Sequence, residues 1–189
     1  MVVSVPEPRE MPEQLRIERG NRGQGKDLRM THKMRRTDKE ISSPEEIDAL
    51  LSSGKFVTIG LIDGDQPYLV TLSYGFDVET RRLYCHAAPT GRKLDVCAAN
   101  PAACGTVIRD LGYVPDDCTQ HYESVVVYGR LRLVDDAEEA RHGMWVLMRQ
   151  LEADPVATWT SNDLDDPATW KRFRVLAFDI ELATGKRGV

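Results

Sequence analysis

The sequence predicts a mainly β fold with peripheral helices (α+β): a meander of strands that curls into a barrel, with a helix plugging one end. Two observations carry that prediction. Apolar residues alternate with a period of two, or run together in β-branched stretches, over residues 56–62, 67–76, 82–87 and 123–134, which is the spacing of strands. The first three stretches follow one another with only turns between them, and a single short helix comes next, so the strand–helix alternation of a parallel sheet is missing. With 189 residues, the chain suits one domain with a real core rather than two.

Residues 1–33 read as a flexible basic N-terminal arm and residues 34–189 as the domain. Through residue 30 the arm holds three prolines and three glycines and no apolar period, so it buries too little surface to offset its ordering entropy. At Ser43-Pro44-Glu45-Glu46 a serine cap, a proline at the first helical position and a glutamate three residues on start a helix. Ile47, Leu50 and Leu51 share its apolar face, and Gly54 is expected to end it in the left-handed conformation. Phe56 to Ile62 and Pro67 to Phe76 then form a hairpin around Asp63-Gly64-Asp65-Gln66. Arg82 to Ala87 is the third strand, expected to lie beside the second. The break at Pro89-Thr90-Gly91 introduces a helix from Arg92 to about Ala99, stopped by Asn100-Pro101.

Ala103 to Arg109 reads as a fourth strand, Gly112 to Gln120 as a loop, and Glu123 to Val134 as a long strand with Val125-Val126-Val127 buried on both faces. Asp136 caps a helix through Leu151 with Ala140, Met144, Leu147, Met148 and Leu151 on its core face. A single helical turn begins near Asp166-Pro167, and Val175 to Glu181 closes the sheet.

Composition narrows the function classes. A net charge of −5 argues against a general nucleic-acid binder, which needs a basic surface. The basic cluster Lys26, Arg29, His32, Lys33, Arg35 and Arg36 reads as a solvated arm. No apolar run approaches the ~20 residues of a membrane helix, and residues 1–30 lack a secretory core, so a cytoplasmic location is expected. Cys85, Cys97, Cys104 and Cys118 contain no C-x-x-C pair and read as small buried hydrophobes before zinc ligands, with no metal expected.

The most informative stretch is Leu83-Tyr84-Cys85-His86-Ala87-Ala88-Pro89-Thr90-Gly91-Arg92-Lys93. A strand runs into a turn of small residues that opens a helix beginning with two cations. Unpaired amides and the positive dipole end collect at a helix start, which suits an anion. Arg92 forks onto a phosphate and Lys93 adds charge. The same two residues also fit an ordinary solvated pair of cations. On the preceding strand the period of two places Thr71 and Ser73 on one face, where their hydroxyls suit the edge of a flat heterocycle.

Met34-Arg35-Arg36-Thr37-Asp38-Lys39-Glu40-Ile41, Pro67 through Phe76, Leu83 through Ala87 with Gly91-Arg92-Lys93, Tyr122-Glu123-Ser124-Val125, Tyr128-Gly129-Arg130 and Ala183 through Arg187 together resemble the nitroimidazole-resistance branch of the pyridoxamine 5′-phosphate oxidase-like flavoproteins. That resemblance implies a six-stranded split β-barrel of the FMN-binding type, dimerising with FMN at the subunit interface. It implies that Arg92 and Lys93 take the FMN phosphate, that Thr71, Leu72, Ser73 and Tyr74 lie along the isoalloxazine ring, and that Cys85, His86, Ala87 and Ala88 lie by the ribityl chain and ring. Tyr122 and Ser124 match positions that approach the cofactor, from the partner subunit in one arrangement; Lys186 or Arg187 are further candidates. The activity implied is an FMN-dependent oxidoreductase passing electrons from a nicotinamide to a nitroaromatic or quinone-like acceptor.

His86 is then the catalytic candidate, the imidazole of the motif core that supplies a proton; the alternative is a structural histidine bonded to a nearby carbonyl. Competing readings are a haem-binding split barrel with His86 or His121 as axial ligand, deazaflavin in place of FMN, and a non-catalytic flavin-binding sensor whose arm meets a partner. Pyridoxamine-phosphate oxidation itself ranks lowest, because no second basic site for a substrate phosphate is evident.

Overall fold

A computed structural model describes residues 34–188, so the reading of residues 1–33 as an arm lies outside the described residues. The helix α1 (Pro44–Ser53) starts where the serine cap places it: Ser43 Oγ accepts from the Glu46 amide at 3.2 Å, and Ile47, Leu50 and Leu51 are buried. Its end differs from expectation. Gly54 is extended, with φ −73°, and glycine stands there for space, because a Cβ would collide with the Tyr74 hydroxyl.

A two-residue strand β1 (Glu40–Ile41) precedes α1. Strands β2 (Phe56–Asp63) and β3 (Gln66–Ser73) form the expected hairpin. The second strand, however, does not run on to Phe76. It breaks at Tyr74, and β4 (Gly75–Asp77) crosses to the other end of the sheet to pair with β5 (Arg82–Ala87). Thr71 and Ser73 therefore lie opposite Thr58 and Phe56 of β2 rather than beside β5. Tyr74 explains the break: it is fully buried, its hydroxyl donates to the Leu51 carbonyl at 2.6 Å, and a pleated continuation would point it elsewhere.

After α2 (Arg92–Ala99), β6 (Ala102–Val114) and β7 (Thr119–Leu133) make one long hairpin, so the segment read as a loop over 112–120 is largely the end of a ribbon. A bulge falls between Asp110 and Gly112, where Asp110 Oδ1 accepts from the Gly112 amide at 2.8 Å. Backbone ladder bonds hold this ribbon, and its side chains are mostly exposed, which is why an apolar period does not announce it. Val125 and Val127 are buried while Val126 is half-buried on the outer face.

Helix α3 (Ala137–Leu151) is capped by Asp136, which accepts from the Glu139 amide at 2.7 Å. The unanticipated helix α4 (Pro155–Ser161) is capped by Asp154 and buries Trp159. A 3-10 turn at Thr169–Lys171 leads into β8 (Arg174–Gly188), twice the span that alternation alone suggests. Among the described residues no helix is long and apolar enough to cross a membrane.

The sheet runs β3-β2-β6-β7-β8-β5-β4, with β1 attached to β8. Six main strands form the path from β3 to β5, and β4 and β1 are short additions. Neither terminal strand bonds to the other, so this is a split β-barrel. Val57, Ile59, Leu83, Val107, Val125, Leu131, Leu176 and Phe178 fill it, with Val96 and Cys97 of α2 among them. A second apolar layer packs α3 and α4 against Tyr84, Val175 and Ala177.

Two contacts tie β4 to α3. Gly75 lies so close to the Leu147 backbone that a Cβ would collide with it, and Asp77 Oδ2 lies 2.7 Å from His142 Nε2, both side chains being buried. Burial raises the Asp77 pKa, but hydrogen bonds from His142 and Thr80 outweigh it and hold the carboxyl below its ordinary value. A depressed carboxylate stabilises the fold above its unfolded pKa and loses that contribution as pH falls through the folded one. Asp77→Asn should therefore cost ~1–3 kcal/mol in urea unfolding at pH 7, with the gap to the parent shrinking as pH drops below 4.

Candidate functional site

The two ends of the open barrel set the site. Among the described residues strand β3 is hydrogen-bonded on one side alone, to β2, and β5 loses β4 beyond Tyr84, so the Cys85–Ala87 backbone has no described strand partner on the split side. Strands β3 and β5 lie near one another. From Ala87 the chain turns through the exposed Ala88, Pro89 and Thr90 into α2.

The start of α2 differs chemically from the other helices. Ser43, Asp136 and Asp154 each place a side-chain oxygen on the first turn of α1, α3 and α4, whereas the cap of α2 is Gly91, which supplies none. Gly91 has φ +137°, a conformation that side-chain-bearing residues rarely adopt. Its carbonyl takes the Leu94 and Asp95 amides at 2.8 and 3.4 Å. The amides of Arg92 and Lys93 have no acceptor among the described residues. Leu94, Val96 and Cys97 pack into the barrel core and fix the helix.

Arg92 is exposed and leans on the β2–β3 hairpin. Its Nε donates to Asp63 Oδ2 at 2.8 Å, and its guanidinium carbon lies 4.4 Å from the centre of the Tyr68 ring. The pair is open to solvent, with side-chain exposures of 59% and 40%, and so contributes ~0–1 kcal/mol to stability at most. Lys93 is half-buried and has no carboxylate partner among the described residues. Asp63 and Tyr68 were absent from the sequence-derived site. Asp63 reads there as a turn residue, and only the folding of the hairpin toward α2 brings it to Arg92.

The remaining site residues divide by face. Thr71 and Ser73 point outward on β3, and Thr71 Oγ1 lies 3.0 Å from Thr58 Oγ1. Leu72 packs against the core, Tyr74 is buried in it, and Cys85 and Ala87 point into it. These four side chains are directed toward the barrel interior. Burial also pushes the Cys85 thiol up to about 12. His86 points the other way, exposed, with its ring edge-on to Phe173 at 6.5 Å. It makes no hydrogen bond to a carbonyl among the described residues, so the structural-histidine alternative lacks its expected bond.

Tyr122 and Ser124 lie apart from the split within one chain. They are on β7, separated from β3 by β6 and β2, and line a cavity of about 410 Å³ with Thr106, Ile108, Asp110 and Gln120. Lys186 Nζ sits 5.9 Å from the Tyr122 ring centre. Arg187 is taken up by Glu123 and Glu46, each at 2.8 Å. The expectation of buried cysteines holds for Cys85 and Cys97 and fails for Cys104 and Cys118, which are exposed. Cys104 faces outward on β6, and Cys118 sits in the hairpin turn. No cluster of three or more metal-ligating side chains occurs among the described residues.

The family described as pyridoxamine 5′-phosphate oxidase matches residues 43–187. The chain belongs to that family. Among solved structures similar to this member, a Bacteroides thetaiotaomicron protein provisionally named for 5-nitroimidazole antibiotic resistance is 25% identical, with a TM-score of 0.66 over 78% of this chain and 86% of that one. This agrees with the nitroimidazole-resistance branch that the sequence motifs indicate. Two more distant family-like structures show the same fold. The flavocytochrome Anf3 of Azotobacter vinelandii is 18% identical, with a TM-score of 0.69 over 84% of this chain and 73% of that one. An FAD- and haem-binding protein of Mycobacterium smegmatis is 18% identical, with a TM-score of 0.65 over 79% and 73%. No curated protein matches the chain.

The burial of the four thiols gives a direct check on this placement of faces. In the native protein a thiol reagent such as DTNB should modify Cys118 rapidly and leave Cys85 and Cys97 until unfolding; rapid native labelling of Cys85 would contradict its inward orientation.

Proposed function

We propose that the protein is a homodimeric FMN-dependent oxidoreductase of the cytoplasm, taking electrons from a nicotinamide and reducing a nitroaromatic or quinone-like acceptor. The observation that carries this reading is the start of α2: two amides without acceptors, Arg92 and Lys93, gathered where the barrel is split. Such a combination suits the phosphate end of an anionic cofactor. Family membership and neighbours named for FAD or haem support a redox cofactor in this fold.

The residues fit FMN in defined ways. Gly91 leaves room over the Arg92 and Lys93 amides, since nothing lies within 4 Å of where its Cβ would stand. Arg92 keeps its two terminal nitrogens for the phosphate while Nε stays on Asp63. The open edges of β3 and of Cys85–Ala87 offer backbone donors and acceptors to the polar rim of a flat ring, and Thr71 and Ser73 add hydroxyls. His86 is the residue assigned to hold a proton for the acceptor, a reading supported by its outward, exposed ring, which has no hydrogen-bond partner among the described residues. When bound, FMN supplies the two-electron chemistry.

A second protomer is part of the proposal. Among the described residues no helix covers the outer face of β3-β2-β6-β7, which exposes Leu69, Phe56 and Ile108 at 68%, 61% and 63%. Tyr122 and Ser124 open on that face and are far from the split of their own chain. Pairing two such faces buries them and lets Tyr122 and Ser124 approach the cofactor of the partner. Free cysteines in both buried and exposed positions accord with a reducing compartment.

The purified protein should carry a yellow chromophore that, once released, proves to be FMN. An Arg92→Ala, Lys93→Ala double variant should bind FMN at least about 100-fold more weakly; parent-like affinity, or a Soret band from haem, overturns the assignment. Sizing should give a dimer for the parent, and Ile108→Asp should shift it toward monomer, because a buried unpaired carboxylate opposes association. A parent that runs as a monomer removes the dimer from the proposal.

A further inference from the structure

We propose that Asp63 and Tyr68, on either side of the β2–β3 turn, are positioning residues that hold Arg92 in the pose in which its guanidinium receives the cofactor phosphate. This inference rests on the phosphate reading of the α2 start and deepens it by naming what orients the arginine.

A guanidinium has five N–H donors in one plane. Asp63 takes the Nε donor at 2.8 Å. The four N–H groups of the two terminal nitrogens are left for an end-on fork, the geometry that matches two phosphate oxygens. Tyr68 fixes the remaining freedom. Its ring lies 4.4 Å below the guanidinium carbon, within the range of a cation–π contact, and restrains the tilt of the plane. The platform is firm because Tyr68 packs against the barrel core and both residues belong to one hairpin, in which Leu61 faces Tyr68 and Asp63 faces Gln66. Asp65, the other acid of the turn, accepts from the Gln66 side chain and takes no part.

Stability does not account for this arrangement. An ion pair this exposed contributes little to folding. Its charge also opposes an anion, so on electrostatics alone removing Asp63 tightens phosphate binding. Orientation predicts the reverse, because an arginine freed of both partners must be ordered anew each time the phosphate binds. The two effects have opposite signs, and the sign is measurable.

The full-length protein, stripped of cofactor, is titrated with FMN and with riboflavin, which lacks the phosphate, following flavin fluorescence. Asp63→Ala should raise the Kd for FMN about tenfold, as loss of an orienting partner does at comparable sites, and leave riboflavin binding as in the parent. Asp63→Asn keeps an oxygen that accepts from Nε and should recover most of the loss. Inorganic phosphate should compete with FMN less well in Asp63→Ala than in the parent. Tyr68→Leu should behave as Asp63→Ala does and Tyr68→Phe as the parent does, which carries the comparison if Asp63→Ala fails to fold. FMN binding by Asp63→Ala that equals or exceeds the parent's overturns the inference, even where Arg92→Ala weakens FMN. If Arg92→Ala binds FMN normally, the phosphate reading itself fails, and the positioning role with it.

Discussion

The burial of Tyr74 is the constraint on which the rest of the molecule depends. Its hydroxyl reaches the Leu51 carbonyl at 2.6 Å, and burial pushes its pKa well above that of a free phenol. Gln150 surrounds the same point, donating to the Leu51 and Gly54 carbonyls at 3.2 and 2.6 Å and accepting from the Phe76 amide at 2.8 Å. Together these bonds hold the chain where it leaves β3 and becomes β4. A strand that kept its pleat through Tyr74 would extend the β2–β3 hairpin and leave β5 paired with β8 alone. Because the chain turns inward instead, one end of the sheet is stitched to the other by a single covalent crossing, and the barrel stays split.

The split has a chemical consequence. Among the described residues, backbone groups at the edges of β3 and β5 and at the start of α2 are unpaired in places where a closed barrel would satisfy them. Elsewhere such groups are answered: serine and aspartate cap α1, α3 and α4, and buried pairs such as Asp77 with His142 complete one another. The contrast between a well-satisfied scaffold and one polar, under-satisfied seam is what a binding site requires of a rigid fold. The apolar face of α2 anchors its cationic start, so packing energy from the core is what keeps charge at the seam.

Much of the scaffold was legible in the residues. Serine and aspartate caps, the Asp63–Gln66 turn and the Gly91 and Asn100 boundaries bracket helices and strands through local chemistry, and α2 begins and ends where those signals put it. The errors share a cause. Gly54 looked like a left-handed cap and is extended, since its reason is the approach of Tyr74, 20 residues away in sequence. The 112–120 ribbon looked like a loop because a two-stranded ribbon in water has no buried face to impose a period. Cys104 and Cys118 looked buried by residue type and are exposed by position. Each error concerns a property that another segment supplies.

The same division applies to the site. Sequence by itself determined the cationic pair after a turn of small residues, the polar outward face of β3, and the family, because these are written in adjacent residues and their spacing. Tertiary structure decided which side chains of the motif turn inward and which outward. It turned Tyr74, Cys85 and Ala87 inward and His86 outward, set Tyr122 and Ser124 on a strand separated from β3 by two others, and brought Asp63 to Arg92 across 29 positions of chain. Local patterns encode what a segment can form. Which groups meet depends on how the core is filled, and that is a property of the whole chain at once.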